Sequence, residues 1–163
     1  MKFARSLCLL VLGSVFVSVV WAADPAEPGQ PADAKDQATL EKEFETLMSG
    51  ATLEGYFTAT DRDDGKSHSK EKYTLGKVSK IKDDYWKFEC RIQYGDHDAT
   101  LPLALQVKWA GDTPVITLTD MLIPGFGTFT SRVLIYGDRY VGTWQGKDHG
   151  GHLFGNIVAA KKE

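Results

Sequence analysis

The residues best suited to metal chemistry lie in one glycine-rich segment, GTWQGKDHGGHLFG, which spans residues 142–155. This segment combines two imidazoles with a carboxylate, and both groups are ligands for zinc and other transition metals. Asp148, His149 and His152 are therefore candidate metal ligands. The alternative is a glycine-rich hairpin whose polar side chains face water.

Two further polar clusters contain residue types that bind ions. His97 lies between Asp96 and Asp98 and forms a second cluster of the same type. The loop TDRDDGKSH, residues 60–68, carries acids at 61, 63 and 64, but its glycine arrives one residue earlier than in an EF-hand and no helices are predicted beside it. We interpret it as a solvated hairpin loop.

Nucleophilic catalysis has no marked site in this sequence. Ser67, Ser69 and Ser131 can each be combined on paper with a histidine, but none lies on a nucleophile elbow. Cys90 alternates in phase with large apolar residues, which predicts a buried and inert thiol. The sequence therefore leaves enzymatic activity open but favours a non-enzymatic protein, and we expect no cofactor.

The N-terminal residues are typical of an exported protein. Lys2 and Arg5 precede an uncharged apolar run, and Ala22 supplies the small residue before a cleavage site. Residues 1–22 are therefore predicted to be a signal peptide, and the apolar run is short for a retained membrane anchor. This predicts a periplasmic or extracellular location, with Cys90 as the one remaining cysteine.

The charge of the exported part argues against two classes of partner. The leader carries two of the 19 Lys and Arg and none of the 22 Asp and Glu, so its removal changes the net charge from −3 to −5. An acidic chain without a basic cluster is a poor match for nucleic acid or anionic lipid. Residues 23–36, rich in Pro, Ala and Asp, are predicted to form a flexible tether.

Hydrophobic periodicity then predicts one helix followed by a β-domain at residues 50–163. In residues 37–49, Leu40, Phe44, Leu47 and Met48 fall at helical spacing before Gly50. Downstream the period changes to two, most clearly in WKFECRIQY at residues 86–94. Similar runs give about eight strands, and Pro102 indicates a sheet edge or a bulge.

The connections favour an antiparallel meander. Gly-Asp pairs at residues 95–96, 111–112 and 137–138 suit tight hairpins, and no connection is long enough for a crossover helix. Eight such strands can close into an up-and-down barrel that just admits side chains or one small ligand. The predicted fold is therefore an all-β closed barrel preceded by one short α-helix, with a β-sandwich as the alternative.

Large aromatic side chains fall at strand positions that face inward. Together with Phe126, on a glycine-flanked turn suited to a flap at a barrel mouth, they either fill the barrel or line a pocket for a flat or apolar molecule. The candidate ligand-binding residues are Trp86, Phe88, Tyr94, Trp109, Phe126, Phe129, Tyr140 and Trp144.

Three stretches carry a family resemblance: WAGDTPVITLTD at 109–120, IPGFGTF at 123–129 and the segment from Gly142 to Gly155. They resemble a family of small exported bacterial β-proteins with no assigned activity. The meander with its Gly-x-Trp at 142–144 also loosely resembles lipocalin and avidin barrels. In those families, however, the Gly-x-Trp belongs near the first strand, so only an analogy of architecture is implied.

Three functional hypotheses follow from these features. The first is an exported, non-enzymatic binding protein for a small apolar or aromatic ligand or an envelope partner. The second is a metal-binding protein or metal-dependent enzyme that uses Asp148, His149 and His152. The third is a structural or interaction module of the cell envelope, docked through a sheet edge or through Phe126.

Overall fold

The computed structural model describes residues 35–60 and 68–161, except for the side chain of Tyr94. The predicted signal peptide, the tether up to residue 34 and the acidic loop at 61–67 lie outside the described residues. Within the described ranges, no helix has the length and apolar character needed to cross a membrane.

The described chain forms one helix and then eight strands, as the periodicity predicts. The elements are α1 (Gln37–Met48), β1 (Thr52–Phe57), β2 (Ser69–Lys82), β3 (Tyr85–Tyr94), β4 (His97–Ala110), β5 (Thr113–Ile123), β6 (Gly127–Tyr136), β7 (Arg139–Gln145) and β8 (Gly150–Val158).

Helix α1 has a capped N-terminus and a glycine after its C-terminus. The Asp36 carboxylate accepts a hydrogen bond from the Thr39 backbone N–H at 2.8 Å, which satisfies one of the free donors of the first turn. Gly50 follows the last turn with φ of +73°, the left-handed conformation in which helices commonly end. Phe44 and Met48 are the buried residues of the helix.

The eight strands form a closed antiparallel barrel in sequence order, with β1 paired to both β2 and β8. This confirms the up-and-down barrel and not the sandwich. The predicted alternation is also confirmed in β3, where even-numbered residues 86–92 are buried and odd-numbered residues 87–91 are exposed. The core therefore occupies the inside of the barrel.

Tight turns join most sequence neighbours. Gly95, Gly111 and Gly137 have φ of +52°, +65° and +58°, so each of the three predicted Gly-Asp turns uses the conformation that glycine adopts without strain. The β2–β3 turn uses Asp83 at φ of +50° instead. An aspartate tolerates this region better than most other side chains do.

The ladder between β4 and β5 is short, since it joins residues 106–110 to 113–117 only. The Val107 N–H donates to Asp84 O on the β3 side. Neighbouring residues of a strand direct their backbone N–H and C=O groups to opposite sides, so the even-numbered β4 residues direct theirs toward β5. The nitrogen of Pro102 therefore faces the side where β4 lacks a partner among the described residues. Pro102 thus marks a local edge within a closed barrel, where a missing N–H costs no ladder hydrogen bond.

Helix α1 lies at one end of the barrel, which we call the helix end. This end contains the turns at 82–84, 111–112 and 137–138 and the start of β1. The Phe44 ring contacts the rings of Trp86 and Trp109 edge-on, with centroids 5.2 and 6.1 Å apart. The opposite end, called the loop end, contains the turns at 95–96, 124–126 and 146–149.

Candidate ligand cavity

The interior of the barrel contains a cavity of about 450 Å³. All eight strands contribute to its wall, and Met48 of α1 contributes from the helix end. Most of the lining side chains are aliphatic or aromatic. The cavity reaches the loop end, where the exposed side chains of His97 and His149 line it.

Five of the eight predicted ligand-binding residues line this cavity. They are Phe88, Phe126, Phe129, Tyr140 and Trp144. Trp86 and Trp109 instead pack against Phe44 at the helix end and are not among the described residues that line the cavity. The side chain of Tyr94 lies outside the described part of the structure.

An aromatic cluster surrounds Trp144 toward the loop end. The centroids of the Phe57, Phe129 and His149 rings lie 6.0, 6.3 and 5.2 Å from that of Trp144. The indole N–H donates to the backbone oxygen of Thr58 at 3.0 Å, which fixes the ring orientation. This arrangement presents aromatic surface to the cavity while the polar atom of the ring is satisfied.

A buried carboxyl group interrupts the apolar wall. Glu71 on β2 is only 6% exposed and lines the cavity together with Tyr73 and Tyr140. The Tyr73 hydroxyl donates to Oε2 of Glu71 at 2.8 Å, and the Tyr140 hydroxyl donates to Oε1 at 2.9 Å. Burial raises the pKa of Glu71, although the two phenol hydrogen bonds oppose that effect.

Two glycines make room for this cluster. Gly55 and Gly155 are cross-strand partners, and they pair with Glu71 and Tyr140 respectively. A Cβ on Gly55 would lie 2.5 Å from Tyr140 Oη, and one on Gly155 would lie 2.7 Å from Tyr140 Cε1. Because these two glycines have no side chains, the Tyr140 side chain can lie across the backbones of β8 and β1 and reach Glu71.

Glu71 was not among the site residues predicted from the sequence, although its position on β2 carries a signal. Glu71 shares the parity of Tyr73 and Leu75, which face the cavity. A register shift between Leu75 and Val78 then changes the phase of β2. This bulge makes the strand look irregular in sequence, so the inward position of Glu71 was not recognised.

Ser131 and Cys90, which both line the cavity, are not activated as nucleophiles. The Ser131 hydroxyl donates to the backbone oxygen of Thr143 at 2.8 Å, so its proton is committed to a carbonyl. Burial raises the pKa of the Cys90 thiol to about 12, which keeps it protonated at neutral pH. The prediction that Cys90 is buried is therefore confirmed.

The predicted metal ligands lie on different sides of the wall. His149 lines the cavity, whereas His152 precedes buried Leu153 and lies on the exposed face of β8. The His152 Nδ1 atom is 3.5 Å from the Thr58 hydroxyl. Among the residues that the structure describes, no group of three or more His, Cys, Asp or Glu side chains could hold a metal ion.

The second polar cluster is also divided. Arg91 donates to both carboxylate oxygens of Asp98 at 2.8 and 2.6 Å, and this interaction lowers the pKa of Asp98. The His97 ring instead packs beside the Phe126 ring, with centroids 5.4 Å apart. His97 and Phe126 therefore belong to the cavity wall at the loop end, whereas Asp98 belongs to an exposed ion pair.

Comparison of the chain with protein-family models, curated proteins and solved structures gives no match. The residues and geometry of the cavity are therefore the basis for assigning a function.

Proposed function

We propose that this chain is an exported, non-enzymatic binding protein whose barrel holds one small apolar or aromatic molecule. The apolar cavity is the observation that carries this proposal. Its volume of about 450 Å³ lies within the range of small-molecule sites, which is roughly 300 to 1,000 Å³. The described side chains leave this space unfilled, although close packing is the rule in protein interiors.

The chemistry of the wall supports binding more than catalysis. The aromatic rings of Phe88, Phe129 and Trp144 offer large contact area to a flat or apolar molecule. Ser131 and Cys90 are held in unreactive states by a backbone hydrogen bond and by burial. The signal peptide, the envelope location, the family resemblance and the absence of membrane or nucleic-acid partners remain parts of the proposal that rest on sequence.

The test is a fluorescence titration of the exported protein with N-phenyl-1-naphthylamine, a neutral apolar dye. Adjacent β4 residues provide matched variants, because Leu103 lines the cavity whereas Ala104 is exposed. We expect saturable binding to the native protein and to Ala104→Trp. Leu103→Trp, which fills the cavity, should weaken binding by at least about tenfold, equivalent to about 1.4 kcal/mol.

Circular dichroism and thermal melts would establish that both tryptophan variants are folded. The proposal fails if the folded native protein does not bind the dye. It also fails if folded Leu103→Trp and Ala104→Trp bind it equally well. The metal-protein and interaction-module hypotheses stay predictions, and neither has a specific arrangement of described residues in its favour.

A further inference from the structure

The Glu71 cluster adds chemical information about the ligand. Each Glu71 oxygen receives one phenol hydrogen bond, and a carboxylate oxygen can accept more than one. Among the described residues, no cation forms an ion pair with Glu71, whereas exposed carboxylates such as Glu54 and Asp98 do have such partners. The cavity therefore contains a carboxylate with capacity for another donor.

The titratable groups beside Glu71 remain neutral near pH 7, so the negative charge in this part of the cavity belongs to Glu71. Tyr73 lies on the same strand, Tyr140 on β7 and Cys90 on β3, and all three line the cavity. Burial raises the pKa of each of these groups, so each remains neutral near pH 7. Glu54 on β1 also acts on Tyr140 by charge repulsion, but its own side chain is exposed and paired with Lys72.

The buried Glu71 cluster lowers the free energy of unfolding of the unliganded protein. A buried carboxylate without a cation is costly, and a hydrophobic residue would be the simpler filling for an apolar wall. Gly55 and Gly155 reserve the space through which Tyr140 reaches Glu71. Costly polar groups held in a cavity wall are typical of binding sites.

We propose that the ligand is an apolar molecule carrying one protonated amine, which donates to Glu71. This inference rests on the proposed function, since it assigns the polar end of the molecule that fills the cavity. An ammonium group would neutralise the carboxylate through a charge-assisted hydrogen bond. A ligand carboxylate would be repelled, and a hydroxyl would add a hydrogen bond without neutralising the charge. The remaining wall, including Phe88 and Leu103, suits the hydrocarbon part.

The test compares three probes of equal chain length as competitors of N-phenyl-1-naphthylamine. They are octylamine, 1-octanol and octanoate at pH 7.5. We expect octylamine to displace the dye at a concentration at least about tenfold lower than 1-octanol, and octanoate to be the weakest. In Glu71→Gln the preference for the amine over the alcohol should disappear. Glu89→Gln, at an exposed carboxylate on β3, should retain it.

A pH series keeps the inference testable if Glu71→Gln does not fold. Octylamine binding to the native protein should weaken on acidification as Glu71 takes up a proton, whereas 1-octanol binding should not. His97 and His149 also line the cavity, so the same series is run on His97→Gln and His149→Gln. Persistence of the pH effect in both histidine variants supports Glu71, and its loss in either one overturns the assignment.

The failures of the two proposals are distinguishable. If the folded native protein does not bind the dye, the proposed function is wrong. If the dye binds and 1-octanol displaces it as effectively as octylamine, the binding function stands and the amine inference is overturned. A Glu71→Gln protein that folds and keeps the amine preference also overturns the inference.

Discussion

The carboxyl group of Glu71 opposes folding of the unliganded protein when it is ionised. Burial disfavours the charged form, and the two phenol hydrogen bonds offset only part of that cost, since the pKa of Glu71 is raised above 4.5. A raised pKa means that the folded state holds the proton more tightly than the unfolded state. The contribution of Glu71 to stability is therefore fully present below pH 4.5 and is lost as the pH rises through its native pKa.

The Glu71→Gln variant should show this dependence as a difference in thermal stability. The amide has nearly the same shape but no charge, so we expect the variant to melt above the native protein at pH 8. The difference should shrink toward pH 4.5, and scanning calorimetry from pH 4.5 to 8 measures it. Destabilisation by more than about 1 kcal/mol at pH 8 would mean that the ionised carboxylate stabilises the fold.

For individual residues, the alternation of apolar and polar side chains predicted which face of the sheet a residue occupies but not its height along the barrel axis. Phe88 and Trp86 have the same parity on β3 and both rings contact Phe44, yet of the two only Phe88 is among the described residues that line the cavity. Height depends on strand tilt and stagger, which a single strand does not encode. Glu71 was missed for another reason, because the bulge between Leu75 and Val78 obscures the alternation of β2.

At the scale of elements, the helix, the eight strands and the Gly-Asp turns could be predicted from local patterns. Period and turn chemistry act over a few residues, so they are readable in one sequence. The separation of β4 from β5 beyond Gln106 could not be predicted in this way, because it depends on how two strands twist past each other. Pro102 was its local sign, and that residue lies beside the side of β4 that has no partner in the described part of the chain.

Amide hydrogen exchange should reveal this separation directly. The Leu105 N–H points toward β3 and is paired, whereas the Ala104 N–H points toward the side where β4 lacks a partner within residues 35–60 and 68–161. We expect the Ala104 amide to exchange at least about tenfold faster than the Leu105 amide, because unpaired amides open without breaking a ladder bond. Equal protection of the two amides would show that β4 and β5 pair along their whole length.

At the scale of the whole barrel, the large rings divide the interior into a filled end and a hollow part. Phe44, Trp86 and Trp109 pack together at the helix end. The cavity begins at Met48 and extends to the loop end. The sequence left open whether the barrel is filled or hollow, because the answer depends on where each ring lies and on the total volume enclosed. Neither quantity follows from the order of residues along one strand.

The central claim is that an apolar molecule binds inside the barrel, and intermolecular NOEs between N-phenyl-1-naphthylamine and assigned methyl groups test it most directly. Ile116 and Leu103 line the cavity, whereas Val141 and Val158 are exposed on the outer surface. We expect NOEs from the dye to the methyl groups of Ile116 and Leu103 and none to those of Val141 and Val158. NOEs confined to the two exposed valines would place the dye on the outer surface and contradict the account.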